Sequence, residues 1–124
     1  MNKQERDPLT EKIIANCFYV HRELGPGFPE KIYGKALAML FIENGLKCEV
    51  EKEFTVTFKE KVIGKFRCDF LINDKVIAEL KAVNGRLPII FEYQLLSYLK
   101  ASGINVGLLI NFGNKSCEIR RLMY

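Results

Sequence analysis

The chain has 124 residues, the length of one domain, and its 48% hydrophobic and 27% charged residues form an ordinary globular balance. No apolar run approaches the roughly 20 residues that a membrane-spanning helix needs. The polar first seven residues lack the apolar segment of a secretion signal. We therefore expect one cytoplasmic domain over residues 1–124, with residues 1–8 as a flexible N-terminus and no membrane partner.

The net charge of +4 is unevenly distributed along the chain. Residues 1–46 hold six basic and six acidic side chains, whereas residues 47–124 hold 13 basic and nine acidic side chains. A polyanionic partner such as nucleic acid would match this excess. On charge alone, a lysine-rich surface in contact with solvent explains it equally well.

The cysteines are widely spaced and form no C-x-x-C pair (Cys17, Cys48, Cys68 and Cys117). A zinc site would need closer pairing or more histidines, and His21 is the one histidine of the chain. We expect four reduced cysteines that behave as small core hydrophobes.

Two helices are predicted ahead of the strands. The first covers residues 9–24, where apolar side chains recur at helical spacing, and either Asp7 or Thr10 can cap it. The second covers residues 28–44 and ends at an Asn-Gly pair. The break between them, residues 25–27 (GPG), is short, so the two helices should pack closely against each other.

From residue 47 the hydrophobic period changes from that of a helix to that of strands. The predicted elements that follow are three strands over residues 48–58, 62–72 and 75–83, a helix over 88–102, and strands over 106–112 and 117–122. The helix is a crossover, which makes the third and fourth strands parallel by preference. The predicted fold class is α/β, with helices packed around a mixed sheet.

The hairpin over residues 67–81 carries an unusual set of charges. Period-2 alternation places Glu79 and Lys81 on one face of a strand, and the turn folds Asp69 back beside them. Two converging carboxylates repel each other unless a counter-charge is present, and Mg²⁺ typically takes one or two carboxylates plus waters and phosphate oxygens. A lysine beside them can stabilise a hydroxide or a developing phosphorane charge. This set suits metal-assisted hydrolysis of a phosphodiester.

Asp69, followed ten residues later by residues 79–81 (ELK), resembles the Asp…Glu-x-Lys signature of the PD-(D/E)xK nuclease superfamily. The predicted element order is also similar to the core of that superfamily. The resemblance implies a restriction-endonuclease-like αβββαβ core with an extra N-terminal helix. It also implies an Mg²⁺- or Mn²⁺-dependent nuclease that acts on DNA or on structured nucleic acid.

A narrower resemblance covers roughly residues 9–122. Residues 27–33 (GFPEKIY) form the G-x-x-E-x-x-Y motif that names the GxxExxY protein family. Four further stretches also resemble that family: residues 21–27 (HRELGPG), 79–83 (ELKAV), 94–99 (QLLSYL) and 108–113 (LLINFG).

By position, the resemblance implies that Asp69 and Glu79 are metal ligands, with the Leu80 carbonyl as a further oxygen. Lys81 would orient or activate the attacking water. Glu30 resembles an extra helix-borne acid of several superfamily members and could hold the metal through water. One departure is that Cys68, rather than proline, precedes the first acid.

Gln94 and Tyr98 resemble a Q-x-x-x-Y element that positions substrate or the lysine in some of these nucleases. Tyr33, Tyr98 and His21 are candidate substrate contacts. Each of these three could instead be structural, and Gln94 could satisfy backbone groups at a sheet end.

The candidate acids also have structural alternatives. Asp69 could end a strand or pair with Arg67 or Lys81, and Glu79 with Lys81 could form an ion pair on a solvated face. Glu30 in a first turn would meet the helix dipole favourably.

At the level of function, the alternative is a non-catalytic module that retains the fold and binds nucleic acid or assembles with protein. The helix predicted over residues 88–102 has apolar side chains on more than one side, which a homodimer contact could bury.

Overall fold

The computed structural model describes residues 7–124. Residues 1–6 of the predicted flexible N-terminus lie outside this range, and Asp7 and Pro8 belong to the start of a helix instead. The chain forms three helices, α1 (Pro8–Leu24), α2 (Glu30–Glu43) and α3 (Ile90–Ser102), and five strands, β1 (Cys48–Phe58), β2 (Lys61–Ile72), β3 (Val76–Lys81), β4 (Val106–Asn111) and β5 (Glu118–Met123).

The five strands form one sheet in the order β1-β2-β3-β4-β5. β3 and β4 are parallel, as the crossover through α3 predicts, and the other three pairs are antiparallel. The predicted α/β architecture with a mixed sheet and an extra N-terminal helix is therefore confirmed. In the described part of the chain, no helix is long and apolar enough to cross a membrane.

Asp7, rather than Thr10, caps α1. Its carboxylate accepts hydrogen bonds from the Thr10 backbone N–H at 2.8 Å and from the Thr10 hydroxyl at 2.7 Å. Pro8 occupies the first turn, where its missing N–H costs no hydrogen bond. The helix ends at Gly25, whose φ of 70° favours glycine.

The two faces of the sheet bury separate apolar clusters. One face packs against α1 and α2 and includes Tyr33, Phe41, Phe70 and Phe112. The other packs against α3 and includes Leu95 and Leu99. All four cysteines are free, and Cys17 and Cys68 are buried in these clusters.

The alternation of side chains in β2 is interrupted beside Asp69. In a regular strand Cys68 would face the same side as Phe70. Instead, Phe70 packs on the α1–α2 side, whereas Cys68 packs on the α3 side. The β1–β2 pairing passes from Val50–Phe70 to Lys52–Cys68 and leaves Glu51 and Asp69 out of the ladder, and Glu51 has a φ of 53°. The pair Glu51–Asp69 thus marks the point at which the hairpin β1–β2 leaves the regular sheet.

β3 ends at Lys81, two residues earlier than predicted, because the next residues bond to a side chain instead of a strand. Asn111 is fully buried, and its amide accepts from the Val83 N–H at 2.8 Å and donates to the Val83 carbonyl at 2.9 Å. Gly113 permits this contact, since a Cβ there would lie 2.4 Å from the Val83 oxygen. The segment after Lys81 is therefore tightly held.

Candidate active site

The site begins where the backbone pairing of β2 and β3 stops. Ladder pairing ends at Phe70 and Ala78. Beyond that pair, the Glu79 carboxylate accepts from the Asp69 N–H at 2.7 Å, and the Asp69 carboxylate accepts from the Leu80 N–H at 2.7 Å. Two side chains thus take over the hydrogen bonds that the two strands would otherwise exchange. These bonds fix both acids in place.

Each carboxylate uses one oxygen in this exchange. Glu79 bonds through Oε2 and Asp69 through Oδ2, which leaves Glu79 Oε1 and Asp69 Oδ1 for a ligand. Glu79 is only 8% exposed. It therefore does not lie on a solvated face, as the alternative interpretation of the sequence requires.

Burial and proximity give both acids unusual proton affinities. Burial and the Asp69 charge raise the pKa of Glu79 to about 8, although the Asp69 N–H and the Lys81 charge act in the opposite direction. Burial also raises the pKa of Asp69, against the lowering effect of the Leu80 N–H and of Lys81. A bound cation would offset the repulsion that these pKa shifts reflect.

The remaining oxygen of the predicted ligand set is the Leu80 carbonyl. Within a strand, the N–H and C=O of one residue point towards the same neighbour. Because the Leu80 N–H points to Asp69 on β2, its carbonyl faces the same opening between the strands.

The residues present fit an oxygen-ligated divalent ion. Residues 7–124 contain no group of three or more His, Cys, Asp or Glu side chains arranged to hold a metal by themselves. Mg²⁺ does not require such a group, since it is usually held by one or two carboxylates together with waters and substrate phosphates. Asp69 and Glu79, each with a free oxygen, match that requirement.

Lys81 lies on the same strand face as Glu79. Its Nζ is 4.0 Å from the ring centroid of Phe91, at the start of α3. A cation over an aromatic face is stabilised by the ring quadrupole. The Lys81 charge lowers the pKa of Glu79, Asp69 and Glu30. One ammonium group therefore acts on all three acids.

Glu30 joins the site from the first turn of α2. Burial raises its pKa, the Lys81 charge lowers it, and the Asp69 charge raises it. Glu30 and Asp69 line one cavity of about 560 Å³ between α2 and the hairpin β1–β2. The structure thus brings Glu30 to the opening that Asp69 borders, close enough to Glu79 for the Glu30 charge to raise the pKa of Glu79.

α3 supplies the predicted Gln94 and Tyr98. The Tyr98 ring stacks on Phe66 of β2 with 4.2 Å between ring centroids. Burial and the charges of Glu79 and Asp69 raise the pKa of the Tyr98 hydroxyl. Gln94 is exposed and, by helical spacing, shares its face with Tyr98 and Phe91. Both residues therefore lie on the helix side that borders the site.

Tyr33 and His21 belong to the core, and the substrate contacts predicted for them do not fit. Tyr33 has no exposed surface, donates a hydrogen bond to the Gly25 carbonyl, and stacks on Phe112 at 4.5 Å between centroids. His21 is 7% exposed and its Nε2 donates to the Asn114 carbonyl at 2.8 Å. These contacts agree with the structural roles that the sequence also allowed for Tyr33 and His21.

Several residues of the cavity were missed from the sequence. Lys31 and Lys35 line one wall, together with the small residues Gly34 and Ala38. The i, i+4 spacing of the lysines around small residues is a signal that could have been used.

Glu51 and Arg67 line the opposite side of the cavity, where their charged groups lie 3.6 Å apart. The sequence carries no sign of the Glu51 φ of 53°, because glutamate is not a residue that marks left-handed backbone. Arg67 pairs with glutamates of β1, not with Asp69 as one alternative proposed.

The chain is similar in fold to a solved structure. The structure titled "Crystal structure of SSO0001" matches with a TM-score of 0.60 and 23% identity, over 75% of this chain and 48% of that chain. The chain therefore spans about half the length of that structure. No curated protein sequence matches the chain.

A family model covers more of the chain than the structural match does. The model described as the PD-(D/E)XK nuclease superfamily matches residues 7–122, a range that includes Asp69, Glu79 and Lys81. The spacing of Asp69, Glu79 and Lys81 is that of the Asp…Glu-x-Lys signature. The chain belongs to the PD-(D/E)XK nuclease superfamily.

Proposed function

We propose that the protein is a divalent-metal-dependent nuclease that hydrolyses phosphodiester bonds in DNA or in structured nucleic acid. One observation carries this proposal. Asp69 and Glu79 are fixed by reciprocal bonds to the opposing backbone, with one oxygen of each left free at an opening that Lys81 borders. Membership of the nuclease superfamily supports the same conclusion.

In the proposed reaction, the free oxygens of Asp69 and Glu79 and the Leu80 carbonyl would hold Mg²⁺ or Mn²⁺, which would supply a Lewis acid and lower the pKa of the attacking water. Glu30 bonds to a water of the site from the α2 side. Lys81 orients the attacking water and stabilises the negative charge that develops on the phosphate.

The cavity walls offer places for the phosphates that flank the scissile bond. Lys31 and Lys35 are exposed on α2, and Arg67 faces them from β2. Phosphate contacts of this kind position nucleic acid without reading its sequence. Gln94, on the α3 side, positions either the substrate or Lys81.

The alternative is a module that binds nucleic acid without cleaving it. Such a module gains nothing from a buried glutamate whose pKa is raised to about 8 by burial and a neighbouring acid. A strongly shifted pKa of this kind is typical of catalytic and ligand-binding sites. The nuclease is therefore the favoured function, while the cytoplasmic location and the homodimer remain predictions from the sequence.

A cleavage screen tests the proposal. Single-stranded, duplex, flapped and branched DNA are incubated with the protein and with Mg²⁺ or Mn²⁺. We expect cleavage that is lost in Lys81→Ala and Glu79→Gln and retained in Lys100→Ala, which changes an exposed lysine at the far end of α3. Calorimetric titration should show metal binding that requires Asp69 and Glu79. Absence of both cleavage and this binding would rule out the proposal.

A further inference from the structure

The hairpin β1–β2 extends far beyond the sheet. β2 pairs with β3 only from Phe70 to Ile72. Outward from Asp69 it pairs with β1 alone, from Lys52–Cys68 to Phe58–Lys61. We call this part, residues 52–68, the arm. Asp69 lies at its base, and at about 3.4 Å per residue Lys61 at the tip is roughly 27 Å away along β2.

The tip of the arm is a tight hairpin with a bulge beside its turn. Lys59 and Glu60 form a two-residue turn, and their φ angles of 50° and 66° are those of a type I′ hairpin. The register between the two strands shifts between Val56 and Thr57, which leaves Ile63 as an extra residue. Such a bulge increases the twist of a two-stranded ribbon.

The outer half of the arm exposes large apolar side chains. Phe58, Val62 and Ile63 are 62%, 63% and 65% exposed. Nearer the base the arm touches the body, where Tyr98 stacks on Phe66 and Phe54 packs against the cluster under α3. A ribbon that leaves three large apolar residues in water gains no stability from them, and these side chains are available to a binding partner.

The charge of the tip indicates what that molecule is. Residues 55–65 contain three lysines and one glutamate. Lys65 makes an exposed pair with Glu53 at 3.8 Å, a contact worth little in water. A second copy of the same tip would be repelled by this charge, whereas a polyanion would be attracted.

We propose that the arm enters the major groove of B-form DNA and holds the duplex against the acids at its base. This inference rests on the proposed nuclease function. The major groove, about 12 Å wide, admits a two-stranded ribbon, whereas the major groove of duplex RNA is too narrow for side chains to read. Lys59 and Lys61 contact phosphates on the groove edges. Phe58, which shares a ribbon face with its cross-strand partner Lys61, contacts apolar base edges such as thymine methyls.

The test measures binding separately from cleavage. Fluorescence anisotropy follows a labelled DNA duplex of about 20 base pairs with the full chain in EDTA, over a salt series. The arm variant is Lys59→Gln/Lys61→Gln. The matched control is Lys12→Gln/Lys100→Gln, which removes the same charge from exposed positions on α1 and α3.

We expect the arm variant to bind DNA about tenfold more weakly than the control at 0.1 M salt, with a salt slope lower by about 1.8, because two phosphate contacts are lost. Phe58→Ser should weaken binding without changing that slope. An RNA duplex of the same sequence should bind equally to the arm variant and the control.

Equal DNA binding by the arm variant and the control would overturn the inference. So would a wild-type dimer that Phe58→Ser dissociates in sedimentation without a change in DNA affinity, since the arm would then be a self-association surface. If the wild type cleaves DNA while the arm variant binds normally, the inference fails and the nuclease stands. If the arm binds duplex DNA but no substrate is cleaved, the proposed function fails and the inference stands.

Discussion

Replacement of Glu79 by glutamine should stabilise the metal-free protein at alkaline pH. In the folded protein the pKa of Glu79 is raised from 4.5 to about 8, so the folded state holds a proton that the unfolded chain releases. The stability contributed by that proton is fully present below about pH 4.5 and is lost as the pH rises through 8. Glutamine keeps an oxygen that can accept the Asp69 N–H bond but carries no charge.

The size of the expected stabilisation follows from the pKa shift of Glu79. At about 1.36 kcal/mol per pKa unit, ionisation of Glu79 costs the wild type up to about 4 kcal/mol at pH 8. Relaxation of the site reduces this figure, so we expect the variant to gain roughly 2 to 4 kcal/mol over wild type at pH 8 and almost nothing at pH 4.5. Because a domain has only about 5–15 kcal/mol of stability, the difference is easily measured.

Urea denaturation followed by circular dichroism, in EDTA at several values between pH 4.5 and pH 8.5, measures this difference. The wild type should lose stability across the range, and Glu79→Gln should lose much less. Glu23→Gln, at an exposed position of α1, is the control and should follow the wild type. Parallel curves for wild type and Glu79→Gln would refute the reasoning, as would a wild type that becomes more stable with rising pH.

Three further predictions concern the surroundings of the acids. At pH 8, Mg²⁺ at ten times its dissociation constant should raise the unfolding free energy of the wild type by about 1.4 kcal/mol. The unfolding free energy of Glu79→Gln should hardly change, and an equal response of both proteins would contradict metal binding at this site. Glu51→Gly should stabilise the fold by about 1 kcal/mol in urea denaturation, because glycine adopts the φ of 53° without backbone strain. The control Glu53→Gly should destabilise the fold. The opposite order of stabilities would show that the Glu51 backbone is unstrained. Asn111→Ala should lower the free energy of unfolding by about 2 to 3 kcal/mol, because the Val83 N–H and carbonyl lose their hydrogen-bond partners. A melting temperature within a degree of wild type would show that Asn111 does not stabilise this segment.

The acid pair was predictable because it is local in sequence. Asp69 and Glu79 belong to two strands joined by a tight turn, so period-2 alternation and the turn alone bring them together. The order of the elements followed from hydrophobic periods and from the glycines and prolines between them. The parallel pairing of β3 and β4 followed from the crossover rule.

What could not be predicted depends on contacts between distant elements. The pairing of Lys81 with Phe91, and the burial of the Tyr33 hydroxyl, are set by how helices pack on the sheet, which residue spacing does not specify. Glu51 resists prediction for another reason: its left-handed backbone is imposed by tertiary structure on a residue with no preference for it.

The local character of the acid pair has a consequence for folding. The chain between Asp69 and Glu79 closes a small loop, so the entropy cost of bringing them together is low. The β3–β4 pair, by contrast, joins Glu79 to Leu109 across the whole crossover and must form more slowly. We therefore expect the two carboxylates to meet in an early hairpin, before β4 and α3 bury them. We expect acidic conditions or early cation binding to speed refolding, since either would quench the repulsion in that hairpin.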